Sequence, residues 1–255
     1  MDSRIQVTLT ANAGVLVRCR DTAILLDALF NDKEQAYCSP SSAVLEKMLG
    51  GEPPFEHIDY VMFTHLHADH FSAELTKEFL RRRTVKGLLL PASDRLEQAG
   101  FFSFVRETGT PCYVLPEQAL KTVFRLSPEI QVAAFRTLHL DKKYHDVPHF
   151  CYRITVGDQK LLFTSDVDYT EESFAFLERE TLRAVFVNPL FFSDLQRRRF
   201  FHGSLRAETV VVYHTPFPEE GGDPFRRMLS RNLEAWPKEG PSAIVLEREL
   251  DTIEL

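Results

Sequence analysis

Three histidines and an aspartate fall within six residues of this chain, in His65-Leu66-His67-Ala68-Asp69-His70. Few local patterns constrain a fold as tightly, because the elements on either side must hold these polar side chains in register. The preceding run, Ile58-Asp59-Tyr60-Val61-Met62-Phe63-Thr64, is β-branched and aromatic and reads as a buried strand. The following run, Phe71 to Arg82, places Leu75, Phe79 and Leu80 at helical spacing, with Ser72 as the N-cap. The cluster therefore sits where a strand gives way to a helix, on a loop that rigid elements position.

Residues 65 and 67 are two apart, so in an extended segment their imidazoles point the same way. Asp69 and His70 follow as the chain turns and face a second point a few ångströms away. Neutral imidazole and carboxylate together form a ligand set for zinc, or for manganese or iron. The cluster reads as a metal site.

The 255 residues suffice for one domain with a large core. Hydrophobic residues make up 44% and charged residues 26%, as in ordinary globular proteins. A net charge of −7 gives no general electrostatic footprint for nucleic acid or an anionic membrane. The local exceptions, Arg81-Arg82-Arg83 and Arg197-Arg198-Arg199, read as solvated helix ends. Cys19, Cys38, Cys112 and Cys151 are scattered without a C-x-x-C pair. That pattern argues against a zinc ribbon and suits a reducing, cytoplasmic compartment. No apolar run approaches membrane-spanning length.

Three strands open the chain, Ile5 to Leu9, Val15 to Arg18 and Ala23 to Leu26, the last ending in Asp27. A helix starts at Pro40-Ser41-Ser42 and closes at Gly50-Gly51. Beyond the cluster and its helix, Val85 to Leu90 and Cys112 to Leu115 read as strands, with a short helix from Ser93 to Ala99 between them. The second half offers strands at Val123–Leu126 and Ile130–Leu138, then a hairpin, Phe150 to Val156 and Lys160 to Thr164, turning at Gly157-Asp158. A helix from Thr170 or Glu171 through Leu177 follows. Buried strands at Ala184–Val187 and Thr209–Tyr213, a helix over 223–235 and a strand at Ser242–Leu246 complete the chain. This alternation predicts an α/β class. No linker divides the chain, so a single domain over 1–255 is expected, and its two halves share an element order.

His65-x-His67-x-Asp69-His70 after an apolar strand resembles the signature of the metallo-β-lactamase superfamily. The resemblance implies a four-layer αββα sandwich with two metal subsites at one edge. It also implies three further ligands. Asp166, ending Leu161-Leu162-Phe163-Thr164-Ser165, matches the family's bridging carboxylate, although Ser165 stands where the family usually has glycine; Asp168 is the nearby alternative. His214, between a buried strand and Thr215-Pro216, resembles the last ligand. For the middle histidine the chain offers His139, His145 and His149; His139 ends a strand, as the family's ligand usually does, and His149 reads as structural. Asp27 matches an aspartate that supports the metal loop in the family, and could equally be a strand-ending turn residue.

The expected assignment gives His65, His67 and His139 to one metal, Asp69, His70 and His214 to the other, and Asp166 to both. The cofactors are then two divalent metal ions, zinc first, with manganese or iron as alternatives. The expected activity is that of a binuclear metal-dependent hydrolase. A metal-bridged hydroxide would attack a small-molecule ester, lactone, thioester or phosphodiester, with Asp69 as the catalytic residue orienting the water. The partner is a small-molecule substrate; no membrane and no nucleic acid is expected. Rival readings are a nucleic-acid-processing phosphodiesterase, a non-catalytic metal-binding member of the fold, and a di-iron redox enzyme. The di-iron relatives carry glutamate where this chain has His67.

Overall fold

The computed structural model describes residues 4–31, 39–177, 180–193, 206–215, 223–236 and 240–255. Cys38, Pro216 and the Arg197-Arg198-Arg199 run lie outside the described residues. The chain divides into two compact units. One runs through Glu117 and takes in Arg248–Glu254; the other is Gln118–Glu247.

The first unit is built on a seven-stranded mixed sheet. Strands β1 (Ile5–Ala11), β2 (Gly14–Cys19) and β3 (Thr22–Leu26) form an antiparallel meander. Strands β4 (Tyr60–Met62), β5 (Gly87–Pro91) and β6 (Cys112–Leu115) then add in parallel beyond β3. Parallel neighbours need crossovers. Helices α1 (Ser42–Gly50), α2 (Ala73–Arg82), α3 (Asp94–Gln98) and α4 (Phe101–Glu107) lie on these connections. They bury Met48, Phe79, Leu96 and Phe101 against Leu25, Val61 and Leu88 of the sheet. Strands β3, β4 and β5 are buried at every position, as parallel strands covered on both faces are.

Capping chemistry sets two of the helix starts. Ser41 and Ser72 accept hydrogen bonds at 3.3 Å from the backbone N–H groups of Val44 and Leu75. Helix α1 stops at Gly51, whose φ of 72° is left-handed, with the Arg83 guanidinium packed where a Cβ would stand. The arginine run is engaged locally. Arg81 and Arg82 pair with Glu78, and Arg83 donates to the carbonyls of Met48, Phe55 and Glu56.

The second unit carries another seven-stranded mixed sheet. Strands β7 (Lys121–Arg125), β8 (Ile130–Thr137), β9 (His149–Val156) and β10 (Gln159–Phe163) run antiparallel. Strands β11 (Thr181–Val187), β12 (Arg206–Val212) and β13 (Ser242–Val245) follow in parallel. The β9–β10 hairpin turns at Gly157-Asp158, with Gly157 at φ 61°. Helices α5 (Glu171–Phe174) and α6 (Asp223–Glu234) belong to this unit, whose core joins Leu162, Val185, Val187 and Val210 to Phe174, Phe191 and Leu229.

Three local differences from the sequence expectation have physical causes. Strand β4 has three residues rather than seven: Phe63 N–H still bonds Leu89 O of β5, but at Thr64 the N–H bonds the Asp27 side chain instead of a neighbouring strand. Helix α4 was not anticipated. Its Phe101-Phe102-Ser103-Phe104-Val105 run is too apolar to show a helical period, yet it buries Phe101, Phe102 and Val105. The last strand is β14 (Thr252–Glu254), three residues antiparallel to β1, too short to announce itself. Among the described residues no helix is long and apolar enough to cross a membrane.

Candidate metal centre

The His65–His70 loop leaves the end of β4 and is supported from the end of β3. Asp27 sits there with φ 49°, and its backbone N–H bonds Met62 O at 2.9 Å. Its fully buried carboxylate accepts three hydrogen bonds: from Thr64 N–H at 2.8 Å, from Thr64 Oγ1 at 2.6 Å and from His70 Nδ1 at 3.1 Å. The loop then closes on itself, His70 and Phe71 N–H both bonding His67 O. Phe71 anchors it edge-on against Phe63, with ring centroids 4.9 Å apart.

This chain of bonds fixes two tautomers. Thr64 spends its only proton on Asp27, so toward His65 Nδ1, 3.1 Å away, its oxygen can only accept. His65 therefore carries its proton on Nδ1 and keeps a lone pair on Nε2. His70 likewise donates from Nδ1 to Asp27 and keeps its lone pair on Nε2, which stands 3.5 Å from Asp69 Oδ2. A proton donor on one ring nitrogen and a lone pair on the other is the state in which histidine ligates metals.

The spacing of the two ring nitrogens fits an ion. His65 Nε2 and His67 Nδ1 are 3.1 Å apart. Two nitrogens held at 2.0–2.1 Å by one tetrahedral zinc stand roughly 3.3 Å from each other. Of the four loop residues, His65, Asp69 and His70 are buried and His67 is half-buried.

The second unit gathers its groups around Asp166. His139 lies just beyond β8 and forms an isolated antiparallel bridge with Val167; Leu140 N–H bonds Asp166 O, and Asp168 N–H bonds Leu138 O. His139 gives its Nδ1 proton to the carbonyl of Leu140, leaving the lone pair on Nε2, 3.7 Å from Asp166 Oδ2. His214, two residues beyond the end of β12, sets Nε2 3.1 Å from Asp166 Oδ1. Asp166 thus meets one histidine with each carboxylate oxygen. His145 turns instead to Asp168, at 3.7 Å, and His149 is buried in β9 with Nδ1 2.7 Å from Thr137 Oγ1.

The turn carrying Asp166 has its own supports, which the sequence did not reveal. Ser165 has φ 50°, a left-handed conformation that explains the usual preference for glycine at this point. Here it is held by two bonds: Ser165 N–H to Tyr213 Oη at 3.1 Å, and Asn188 Nδ2 to Ser165 O at 2.9 Å. Thr164 Oγ1 donates to Phe186 O, so the Tyr169 hydroxyl donates to Thr164 and accepts from Asn188 N–H. Burial pushes the Tyr169 phenol well above its ordinary pKa, which keeps that donor protonated. Asp27, Ser165 and His214 all have φ between 49° and 61°. Such backbone costs of order 1 kcal/mol or more per residue and collects where function requires it.

A family profile described as "Beta-lactamase superfamily domain" matches residues 22–215, which span the His65–His70 loop, His139, Asp166 and His214. The chain belongs to the metallo-β-lactamase superfamily. Among solved structures it is similar to the metallo-beta-lactamase fold protein YhfI from Bacillus subtilis (17% identity, TM-score 0.65, covering 99% of this chain and 100% of that one). It is similar to Igni18, a metallo hydrolase from Ignicoccus hospitalis (18%, 0.65, 99% and 98%). It also resembles CmlA, a diiron beta-hydroxylase from Streptomyces venezuelae (18%, 0.60, 100% and 55%). These likenesses establish the fold, and the α/β class expected from the strand–helix alternation holds, with two mixed sheets and their helices. A search of curated proteins found no match.

Proposed function

We propose that this superfamily member is a binuclear metal-dependent hydrolase of a small-molecule ester, lactone, thioester or phosphodiester. In this reading the two units act as one metallo-β-lactamase-like domain over 1–255, a view supported by a family match that runs across both. The ligands are His65, His67 and His139 for one ion, Asp69, His70 and His214 for the other, and Asp166 for both. One observation carries the reading: Asp166 presents its two oxygens to two different histidines, the disposition of a carboxylate that serves two cations. The donor set of nitrogens and carboxylate oxygens suits zinc, and also manganese or iron.

Two such ions supply activation of a water and polarisation of the electrophilic oxygen. The chain's own residues do the rest. Asp27 and Leu140 O keep His70 and His139 in the ligating tautomer, and Thr64 does so for His65. Asp69, buried beside His70, is an acceptor that orients the attacking water. His67 in place of glutamate favours hydrolysis over di-iron redox chemistry. The net charge of −7 favours a small substrate over nucleic acid.

The test is Asp166→Asn, which keeps the shape and removes the charge. Fully metallated wild type should turn over bis-p-nitrophenyl phosphate or a p-nitrophenyl acyl ester. The variant should lose about 100-fold or more, roughly 3 kcal/mol of barrier, with an unchanged circular dichroism spectrum. Activity indifferent to Asp166 would move the bridging role to Asp168. A metallated wild type inert toward the whole ester panel would reject the hydrolase reading.

A further inference from the structure

With His139 turned to Asp166 and His149 buried beside Thr137, His145 is left without a part in the ligand set. Its surroundings are nonetheless organised. The segment from Asp166 to Asp168 is extended against residues 138–140. Val167 is buried, while Asp166 and Asp168 both remain partly open, so the two carboxylates share the opposite face, roughly 7 Å apart along the chain. The carboxylate next to the proposed bridging one is thus the partner of His145.

The Asp168 Oδ2 to His145 Nε2 distance is 3.7 Å, longer than a hydrogen bond and within ion-pair reach. His145 Nε2 is shielded from solvent, whereas the side chains of His145 and Asp168 are 29% and 24% exposed. The His139 side chain, by contrast, is 5% exposed. The turn holding His145 is tied down on the ligand side: Tyr144 packs edge-on against the His139 ring at 5.3 Å, and His145 N–H bonds Lys142 O. The pair therefore lies beside the proposed ligands on a backbone turn that is held, and its side chains remain partly open to solvent. One ring nitrogen faces a carboxylate within ion-pair reach, which leaves the other ring nitrogen available for proton transfer.

We propose that His145, oriented by Asp168, is the residue that protonates the leaving group. This rests on the hydrolase reading above. As the water oxygen bonds to the carbonyl carbon or phosphorus, the scissile bond's electron pair passes to the leaving oxygen. The Nδ1 proton of the His145 imidazolium moves to that oxygen, releasing a neutral alcohol or phenol. The proton shed by the attacking water returns to His145 through solvent, so the sum is ester plus water to acid plus alcohol.

A leaving group that is already a weak base needs little help, so the test compares leaving groups. Wild type and His145→Gln are assayed on p-nitrophenyl and phenyl acetate, and on bis-p-nitrophenyl and diphenyl phosphate, with metal content measured on the same samples. His145→Gln should keep wild-type metal. Its kcat should fall about 100-fold with the phenyl leaving group and no more than about 10-fold with nitrophenyl. Asp168→Asn should shift the same ratio in the same direction by less. Equal loss on both leaving groups, or loss of metal from His145→Gln, would overturn the assignment. Wild type that is metallated yet inert on every ester would sink it together with the hydrolase reading; turnover without leaving-group discrimination sinks it alone.

Discussion

In the first unit the carboxylate that ends β3, Asp27, is sealed away and spent entirely on supporting the loop beyond β4. In the second unit the carboxylate beyond β10, Asp166, is the one left facing histidines, and the residue beyond β11, Asn188, does the supporting. Both units run an antiparallel meander into three parallel strands, and both put their chemistry just past strand ends. Yet support and ligand have exchanged places between corresponding strands. In both units a left-handed residue marks the strand end, Asp27 at φ 49° and Ser165 at φ 50°. The first unit packs its four candidate ligands into one loop; the second draws three from the ends of β8, β10 and β12.

If support is concentrated in Asp27, its removal should be the most damaging change outside the ligands. Asp27→Ala strands a buried backbone N–H, a hydroxyl and an imidazole, and should cost about 3 kcal/mol of stability and 10- to 100-fold in metal affinity. Thermal melting and competitive chelation measure the two. Support in the second unit is shared among more groups, so Tyr169→Phe should do less. It leaves Asn188 N–H unpaired, costs about 1–2 kcal/mol and leaves metal content at wild type. If Tyr169→Phe proved as damaging as Asp27→Ala, the contrast between concentrated and shared support would fail.

The units should behave alike where only burial acts. Cys19 on β2 and Cys151 on β9 each have a thiol pushed up to about 12, chiefly by burial. In the unfolded chain these thiols ionise near their ordinary 9.0. Above that pH the unfolded state has lost protons the folded state still binds, so stability falls as pH rises from 9 toward 12. At neutral pH neither thiol contributes. Each should remove at most about 1.4 kcal/mol per pH unit in that window, and Cys151→Ala should flatten the fall seen by denaturant titration. Both thiols should resist iodoacetamide at pH 8 until the protein unfolds.

The contrast between the units also explains what could be read beforehand. His65, His67, Asp69 and His70 were legible as candidate ligands because one loop holds them within six residues. His139 and His214 were legible only as histidines ending strands, and His145 competed with His139 because a loop's direction is not encoded in local pattern. What turned His139 toward Asp166 is a one-residue bridge to Val167, a long-range contact with no sequence signature. Asn188, Tyr169 and Tyr213 were invisible as supports, since an asparagine or tyrosine after an apolar strand reads as turn or core. Among the elements, the strands and the Ser-capped helices followed from alternation and caps. Helix α4 and strand β14 did not, one being too apolar and the other too short to show a period.

Two ions, each held by its own set of ligands, are what the proposed hydrolase requires. The direct measurement is metal content, by plasma mass spectrometry, of protein purified without an affinity tag and incubated with zinc, manganese and iron. Wild type should hold about two equivalents, and Asp69→Ala combined with His70→Ala should hold about half as much. Wild-type protein that remains metal-free after all three incubations would contradict the proposal.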